Sequence, residues 1–309
     1  MQELQTAPPS PEVADGSLFE EIRQLAQQAS IEINIPELKD LEPSRAFLPA
    51  GKKIYLSCLP GQTWEETERA SRKLHEAGFD PVPHIPVRLL SDRDTLSRLL
   101  ENLVESAHAR EVLLISGDYP RAVGPYSSVA DVLRSGALQE HGVLRLSVAG
   151  HPEGHPNVPL AEIRRAEIEK ALIAAQLRLD LTLLTQFFFE AAPFLDWVDE
   201  LRSCGVGAHL VGGVSGPARA GALLKYAIRC GVGPSIRVLG ARPSSVMKLM
   251  GDHGPQSVLR PLAAARSAGQ CDFRGIHLFC FGGYLRTCEW LHRIAKGQFT
   301  LNHSGGFDV

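Results

Sequence analysis

The regular alternation of short β-rich runs with longer helical stretches most limits what this chain can fold into. Eight strand-like runs recur along the 309 residues, and segments of helical period separate them. Such alternation predicts a parallel sheet, because a helical crossover brings each strand back in the same direction. The predicted strands are Ile31–Ile35, Lys53–Cys58, Val82–Ile85, Val112–Ser116, Leu144–Ala149, Leu181–Gln186, Ala208–Val211 and Gly275–Phe281.

The number of strands favours a closed barrel over an open sheet. Eight βα units in about 280 residues have the size of a single (β/α)8 TIM barrel, whereas a doubly wound α/β sheet, the alternative fold, usually carries fewer strands. The predicted helices between strands include Thr63–Ala77, Ser91–Ala107, Leu160–Leu177 and Pro193–Cys204, the last with Gly205 as its stop.

The chain is predicted to form one domain. Residues 1–16, rich in Pro, Glu and Gln, are expected to be a frayed tail, and residues 17–309 to form the barrel. No low-complexity linker divides the sequence, and the long interval Gly212–Arg274 is predicted to hold several helices rather than a second domain.

Composition excludes several classes of function. A net charge of −3 without a long basic run argues against nucleic acid as a partner. The six cysteines form no CxxC pair and no zinc-type spacing with histidine, so we expect no metal. The N-terminus has no apolar core of a signal peptide, which predicts a cytoplasmic protein without a membrane span. Apolar outer-helix residues such as Ala171–Ala175 predict a homo-oligomer.

Polar residues at the ends of the predicted strands indicate where a site would form. In a barrel these ends meet at one mouth, where barrel enzymes place their chemistry. The polar tips, in strand order, are Glu32, Ser57-Cys58, His84, Gly117-Asp118, His151 to His155, Thr185-Gln186, Gly212-Gly213 and Phe281-Gly282-Gly283.

Each tip also has a purely structural interpretation. A carboxylate such as Glu32 can face solvent on an edge strand, but a barrel has no edge. His84 can be a satisfied core histidine, and Ser116-Gly117-Asp118 an ordinary turn. His151 and His155 have the spacing of a helical metal pair, yet the prolines around them exclude that helix. At least one ring of Phe187-Phe188-Phe189 is expected in the core.

Two of these motifs together resemble a known family. The segments Ala149-Gly150-His151-Pro152-Glu153-Gly154-His155-Pro156 and Thr185-Gln186-Phe187-Phe188-Phe189-Glu190 are similar to those of the methylenetetrahydrofolate reductases. These are FAD-containing (β/α)8 barrels that interconvert 5,10-methylene- and 5-methyltetrahydrofolate. The resemblance extends to Pro83-His84-Ile85, to Gly117-Asp118-Tyr119-Pro120 and to the aromatic strand Ile276–Phe281, and so covers most of the chain.

The resemblance implies a role for three residues. Glu32 matches the acid of the family's Glu-Phe-Phe-Pro-Pro motif, here Glu-Ile-Asn-Ile-Pro, and would donate a proton to the substrate. Asp118 matches the aspartate beside flavin and folate, where its charge would disfavour anionic reduced flavin and promote hydride release. Gln186 matches the glutamine that binds the pterin, since an amide both donates and accepts hydrogen bonds.

The resemblance also implies how ligands are held. Phe189 and Phe279 would stack on flavin or folate, and NAD(P)H would be the electron donor, with oxidation of methyltetrahydrofolate as the alternative direction. Two other functions stay open: a catalytically silent folate- or flavin-binding homologue, and a barrel enzyme that holds a phosphorylated substrate at Gly212-Gly213 and Gly282-Gly283. Residues implied for FAD binding are His84, Gly117, Asp118, Tyr126, Ser128, Gly150, His151, His155 and Lys170.

Overall fold

The computed structural model is a closed barrel of eight parallel strands, which confirms the predicted fold. It describes residues 11–117, 119–155, 157–218, 255–303 and 305–309. Each strand pairs with the next along the chain, and the last pairs with the first. The strands are β1 Ser30–Ile33, β2 Lys53–Leu56, β3 Asp80–Pro86, β4 Glu111–Ile115, β5 Arg145–Gly150, β6 Asp180–Phe187, β7 His209–Ser215 and β8 Gly275–Phe279.

Helices cover the outside of the barrel and follow local capping signals. Thr63 and Glu66 form a capping box at the start of one helix, and Gly205, the predicted stop, has φ +77° just after another. The helices are α1 Pro11–Gln28, α2 Leu41–Ser44, α3 Trp64–Glu76, α4 Arg93–Ala107, α5 Val129–Arg134, α6 Ala137–Glu140, α7 Leu160–Gln176, α8 Ala191–Ser203, α9 Gln256–Ser267 and α10 Tyr284–Ala295. Short 3-10 helices span Ile35–Asp40 and Val87–Leu89, and a small hairpin joins β9 Thr300–Leu301 to β10 Phe307–Asp308.

Side chains alternate between the two faces of each strand. Outward residues such as Ile31 and Ile54 are fully buried under the helices and form the main core. A second, smaller cluster fills the barrel interior, with Tyr55, Val82, Leu113 and Leu184 as its buried members. The period of two therefore determines that Glu32, between Ile31 and Ile33, faces the interior.

A buried polar network closes the amino-terminal end of the barrel. Lys53 Nζ donates to Glu111 Oε2 at 2.6 Å, and Ser147 Oγ donates to Glu111 Oε1 at 2.7 Å. The Tyr55 hydroxyl donates to the same Oε1 at 3.1 Å. Although burial acts to raise the pKa of Glu111, its bonds to Lys53, Ser147 and Tyr55 hold that pKa below its usual value. The buried polar groups at this end of the barrel are therefore hydrogen-bonded to one another, and we assign them a structural role away from the mouth.

Part of the predicted helical interval cannot be compared with the structure. Of Gly212–Arg274, residues 219–254 lie outside the described residues, whereas α9 lies within the interval and agrees with its predicted helical character. Across the residues that the structure does describe, no helix has the length and apolar character needed to cross a membrane.

Candidate functional site at the barrel mouth

Glu32 lies in the barrel interior at the end of β1. Its side chain is 20% exposed, and its Oε2 lies 3.7 Å from His84 Nε2 on β3 and 4.0 Å from His277 Nε2 on β8. We call Glu32, His84 and His277 the acid–imidazole cluster. The inward orientation of Glu32 and His84 follows from strand parity, and barrel closure brings β1, β3 and β8 together at one mouth.

The surroundings of Glu32 favour its protonated form. Burial raises the pKa of this carboxyl to about 7, because a charge in this confined site is poorly solvated. The Ser57 hydroxyl opposes that rise, and the nearby carboxylate of Glu37 adds to it. A group with this pKa is close to half-protonated at neutral pH, as a general acid or base requires.

The two imidazoles of the cluster are kept neutral. Burial lowers the pKa of both His84 and His277 to about 3. The Nε2 atoms of both rings are buried, and neither has a hydrogen-bond partner among the residues that the structure describes. Ser30 Oγ lies 2.8 Å from His277 Nδ1 and fixes that ring. The cluster therefore provides neutral polar atoms around one carboxyl group.

Sequence analysis missed His277 as a functional residue. His277 lies within the predicted strand Gly275–Phe281. It is two residues before Phe279, which was predicted to face the mouth, so both side chains lie on the same face of the strand. The rings of His277 and Phe279 pack edge to face with centroids 4.8 Å apart. Strand periodicity applied to β8 would have placed both on the inner face.

Aromatic rings surround the mouth beside β6 and β8. Phe187 packs edge to face on Phe281 at 4.8 Å, on Phe189 at 5.6 Å and on Phe279 at 6.0 Å. Gln186 is half-buried at the end of β6 in the same region. Predicted substrate residues Gln186, Phe189 and Phe279 therefore lie in one part of the mouth, where half-buried faces can stack on a planar ring.

Phe188 points the other way, into the main core. It is 2% exposed and stacks on Phe194 of α8 with centroids 5.1 Å apart. This confirms the prediction that at least one of the three rings is core.

Packing accounts for the paired glycines of β7. A Cβ atom on Gly213 would lie 2.5 Å from the Thr185 carbonyl oxygen and 2.7 Å from the Phe279 ring. A Cβ atom on Gly212 would lie 3.2 Å from the rings of Phe188 and Phe194. The space beside both glycines is thus filled by the protein, and this packing is a sufficient reason for glycine at these two positions.

The loop after β5 is fixed by buried charges of α7. Glu167 Oε1 accepts from the His151 backbone N–H at 2.7 Å, and Arg164 donates to the carbonyls of His151 and Pro152. Gly150 lies so close to Trp197 that a Cβ atom there would approach its ring at 2.8 Å. His151 and the backbone around it are therefore held in one arrangement at the carboxyl end of β5.

Two further residues implied in cofactor binding lie near this loop. The rings of His151 and His155 are perpendicular with centroids 6.1 Å apart. Lys170 Nζ donates to the Ala149 carbonyl oxygen at 3.2 Å, and burial lowers its pKa, while Glu167 and Glu169 counteract that effect. An ammonium group has three N–H donors, so donors remain for an anionic ligand at the end of β5.

The described part of the loop after β4 lies against the end of β3 and the segment that follows it. Gly117 has φ +80°, and the ring of Tyr119 covers its open side. Arg88 donates to the carbonyl oxygens of Tyr119 and Ser127 and ties this loop to the segment after β3. Asp118, predicted to be catalytic, lies outside the described residues.

Tyr126 and Ser128, both implied in FAD binding, have local structural partners. Tyr126 is 5% exposed and belongs to the main core. The Ser128 hydroxyl accepts from the Asp131 backbone N–H and caps α5. Of the residues implied for the cofactor, His84 lies in the acid–imidazole cluster, while Gly150, His151, His155 and Lys170 lie at or beside the end of β5. In the part of the chain that the structure describes, no group of three or more metal-ligating side chains occurs.

Comparison with known proteins adds sequence similarity over part of the chain. No family model matches the sequence. A 5,10-methylenetetrahydrofolate reductase of Pectobacterium carotovorum subsp. carotovorum is 28% identical over 138 residues, which are 44% of this chain and 44% of that protein. A protein of the same name from Salmonella typhimurium is 27% identical over 138 residues, with the same coverage. The match thus spans less than half the length of these curated relatives.

A solved structure is similar over nearly the whole chain. An uncharacterized protein from Clostridium thermocellum, described as binding two copies of 5-methyl-5,6,7,8-tetrahydrofolic acid, aligns with a TM-score of 0.58. The alignment covers 90% of this chain and 98% of that one at 11% identity. At this identity the likeness establishes a shared fold.

Proposed function

We propose that the protein is an oxidoreductase that interconverts 5,10-methylenetetrahydrofolate and 5-methyltetrahydrofolate, with FAD as cofactor and NAD(P)H as electron donor. The observation that carries the proposal is the position of Glu32, an inward carboxyl of raised pKa at a barrel mouth lined by aromatic rings. The sequence similarity to two proteins named 5,10-methylenetetrahydrofolate reductase supports the same chemistry.

A carboxyl group with these properties suits the demanding step of the proposed reaction. The five-membered ring of methylenetetrahydrofolate must open to an iminium before its carbon accepts hydride, and opening requires a proton on the leaving nitrogen. Glu32 in its neutral form gives that proton and becomes a carboxylate. In the opposite direction the Glu32 carboxylate takes the proton back as the ring closes.

Glu32 exchanges this proton inside a site of low polarity. His84 and His277 are neutral, and the nearby rings of Tyr55 and Phe279 limit access of water. The negative charge formed on Glu32 therefore has polar N–H groups for stabilisation rather than bulk solvent.

The residues at the ends of β5 and β6 fit FAD. When bound, FAD supplies hydride transfer between the nicotinamide and the one-carbon unit. Lys170 retains N–H donors that would bind the phosphates of FAD, His151 with its fixed backbone lies in the same part of the mouth at the end of β5, and the aromatic faces around Gln186 suit a conjugated ring system. We assign the remaining FAD positions and the electronic role of Asp118 by the sequence resemblance.

Gln186 is the proposed contact for the pterin. Its amide offers a donor and an acceptor at the end of β6, and the rings of Phe189 and Phe279 lie in the same region of the mouth. A pterin has a mixed donor–acceptor edge and two flat faces, which these groups complement.

The proposal includes self-association through the outer helices. Leu160 and Leu172 on α7 are 53% and 59% exposed and leave apolar surface on the outer side of that helix. Light scattering coupled to gel filtration would measure the oligomeric state, and a monomeric mass at micromolar concentration would reject this part.

Flavin spectroscopy tests the proposed function directly. We expect the purified protein to be yellow, or to become so with added FAD, and methyltetrahydrofolate to bleach the flavin without oxygen. Lys170→Met should raise the Kd for FAD by at least about tenfold, whereas Lys73→Met on the exposed face of α3 should leave it unchanged. A colourless protein without affinity for FAD would eliminate the flavin mechanism, and flavin that methyltetrahydrofolate does not reduce would eliminate the folate reaction.

A further inference from the structure

One oxygen of the Glu32 carboxyl group faces two imidazoles from two other strands. Oε2 lies 3.7 Å from His84 Nε2 and 4.0 Å from His277 Nε2, just beyond hydrogen-bond distance. Within the described residues, both buried Nε2 atoms are without a partner. Unsatisfied buried polar atoms are costly, and catalytic hydrogen bonds are often long before a ligand fills the site. Because an ionised carboxylate is the stronger acceptor, the arrangement indicates bonds that shorten when Glu32 loses its proton.

His277 is fixed more firmly than His84. Ser30 Oγ lies 2.8 Å from His277 Nδ1, and a hydroxyl that donates to Nδ1 leaves the ring proton on Nε2, which faces Glu32. The His277 ring packs edge to face on Tyr55 at 4.7 Å and on Phe279 at 4.8 Å. These contacts limit rotation of a ring whose exposed fraction is 0%.

We propose that His277 is a positioning residue for the acid: its Nε2–H, oriented by Ser30, holds Glu32 Oε2, so that the transferred proton is carried by Oε1. The identity of the proton acceptor rests on the proposed function, whereas the orientation of the carboxyl does not. In that reaction the Oε1–H bond of Glu32 breaks and the proton joins the leaving nitrogen. The resulting carboxylate then accepts a hydrogen bond from His277, with His84 as a second donor to the same oxygen.

Other polar and titratable groups also act on Glu32, and the test must leave them in place. The Ser57 hydroxyl, after β2, lowers the pKa of Glu32, and Glu37, in the 3-10 helix after β1, opposes its ionisation. The buried thiol of Cys280, after β8, lies close enough for Glu32 to raise its pKa. None of these is altered in the variants below, so a change in the titration of Glu32 reports on the His277–Ser30 pair.

Infrared titration of the Glu32 carboxyl measures this role without substrate. The signal is the infrared band of the protonated carboxyl group. For each protein, the spectrum of the same protein with Glu32→Gln added is subtracted, so that only Glu32 contributes. His277→Phe keeps the ring packing but removes a hydrogen-bond donor to the Glu32 carboxylate. The titration midpoint of Glu32 should therefore rise by about one pH unit. His277→Gln, whose amide N–H reaches the position of Nε2, should restore the midpoint to within about 0.3 unit. Ser30→Ala should give an intermediate rise.

A matched control is available at the opposite end of the barrel. His209, at the start of β7, pairs with Asp180 at 3.1 Å and does not belong to the acid–imidazole cluster. We expect His209→Gln to leave the midpoint unchanged. The pH profile of kcat for methylenetetrahydrofolate reduction should move with the infrared midpoint in each variant.

The outcomes separate this role from a structural one and from the proposed function. If His277→Phe and Ser30→Ala titrate like the wild type, or if His277→Gln moves as far as His277→Phe, His277 does not position the acid. Ser30→Ala removes only one hydroxyl group and decides the matter if His277→Phe fails to fold. A shifted midpoint in a protein that does not turn over folate supports the positioning role and rejects the proposed reaction.

Discussion

The backbone of Gly213 on β7 lies directly against the ring of Phe279 on β8, so that a Cβ atom at Gly213 would approach the ring at 2.7 Å. The Thr185 carbonyl oxygen would be closer still, at 2.5 Å, and backbone cannot move aside as a side chain can. Because Gly213 has no side chain, the Phe279 ring can pack directly against β7, and β6 can approach from the other side.

Gly213→Ala should therefore destabilise the barrel and displace Phe279. We expect a loss of about 1–3 kcal/mol in the free energy of unfolding, as for an overpacked core. Gly275→Ala is the matched control, because Gly275 begins the neighbouring β8 and a Cβ atom there meets nothing within 4 Å. Chemical denaturation measures both variants, and equal losses would show that packing at Gly213 is not the cause.

Glu32→Gln should separate the two half-reactions. Reduction of the flavin by NAD(P)H requires no proton from Glu32 and should be retained. Reduction of methylenetetrahydrofolate should fall about 100- to 10,000-fold, since an amide cannot supply the proton. Anaerobic stopped-flow absorbance of the flavin follows each half-reaction, and equal loss of both would contradict the role of Glu32 as acid.

The pH dependence of the two directions should be opposite. Glu32 must be protonated to open the methylenetetrahydrofolate ring, so that half-reaction should slow as pH rises through about 7. Oxidation of methyltetrahydrofolate needs the carboxylate and should accelerate over the same range. Single-turnover rates between pH 5.5 and pH 8.5, a span of roughly 1.5 units on either side, provide the measurement. Parallel profiles in both directions would assign the titration to another group.

Glu32 should also make stability depend on pH. Its pKa in the folded protein is raised from 4.5 to about 7, so its neutral form is favoured by folding. The associated stability is complete below pH 4.5 and is lost as pH rises through 7, by about 3 kcal/mol in all. Glu32→Gln should lack this decline when unfolding is measured across that range. A decline that persists in the variant would have to come from other groups.

The network at the opposite end of the barrel should affect stability rather than catalysis. Because the pKa of Glu111 is lowered, its contribution is present at neutral pH and is lost as pH falls through that lowered value. Glu111→Gln should cost about 2 kcal/mol at neutral pH, since it removes the charge of a buried carboxylate that accepts a hydrogen bond from the partly exposed Lys53. Glu140→Gln, in an exposed pair with Arg93, should cost less than about 1 kcal/mol. A reduced kcat in a folded Glu111→Gln variant would contradict the structural role.

Periodicity explains how much of this protein could be predicted. Alternation of strands and helices predicted the eight-stranded barrel, because strand count and element order depend on local residue patterns. The alternation Ile31-Glu32-Ile33 likewise predicted an inward carboxyl, and the structure places it there. The assignment of Glu32 as proton donor and of Lys170 to FAD phosphates stays a prediction.

Distances between strands could not be predicted in the same way. No local signal specifies that His84 and His277 approach one oxygen of Glu32, since these residues are far apart in the chain. The sequence also suggested Gly212-Gly213 as a candidate phosphate cradle, whereas packing against Thr185, Phe188, Phe194 and Phe279 accounts for both glycines. Long-range proximity depends on barrel closure and register, which bring distant segments together.

Local residue patterns therefore specify the barrel, the inward side chains of its strands and the end at which polar groups gather, because each follows from a short-range period. Three contacts depend instead on how the strands are assembled: Glu32 lies near two neutral imidazoles, Ser30 orients one of them and Phe279 packs against Gly213. Burial is a property of the assembled barrel, and burial raises the pKa of Glu32. The residue type was present in the sequence, but its suitability as an acid arises from the fold.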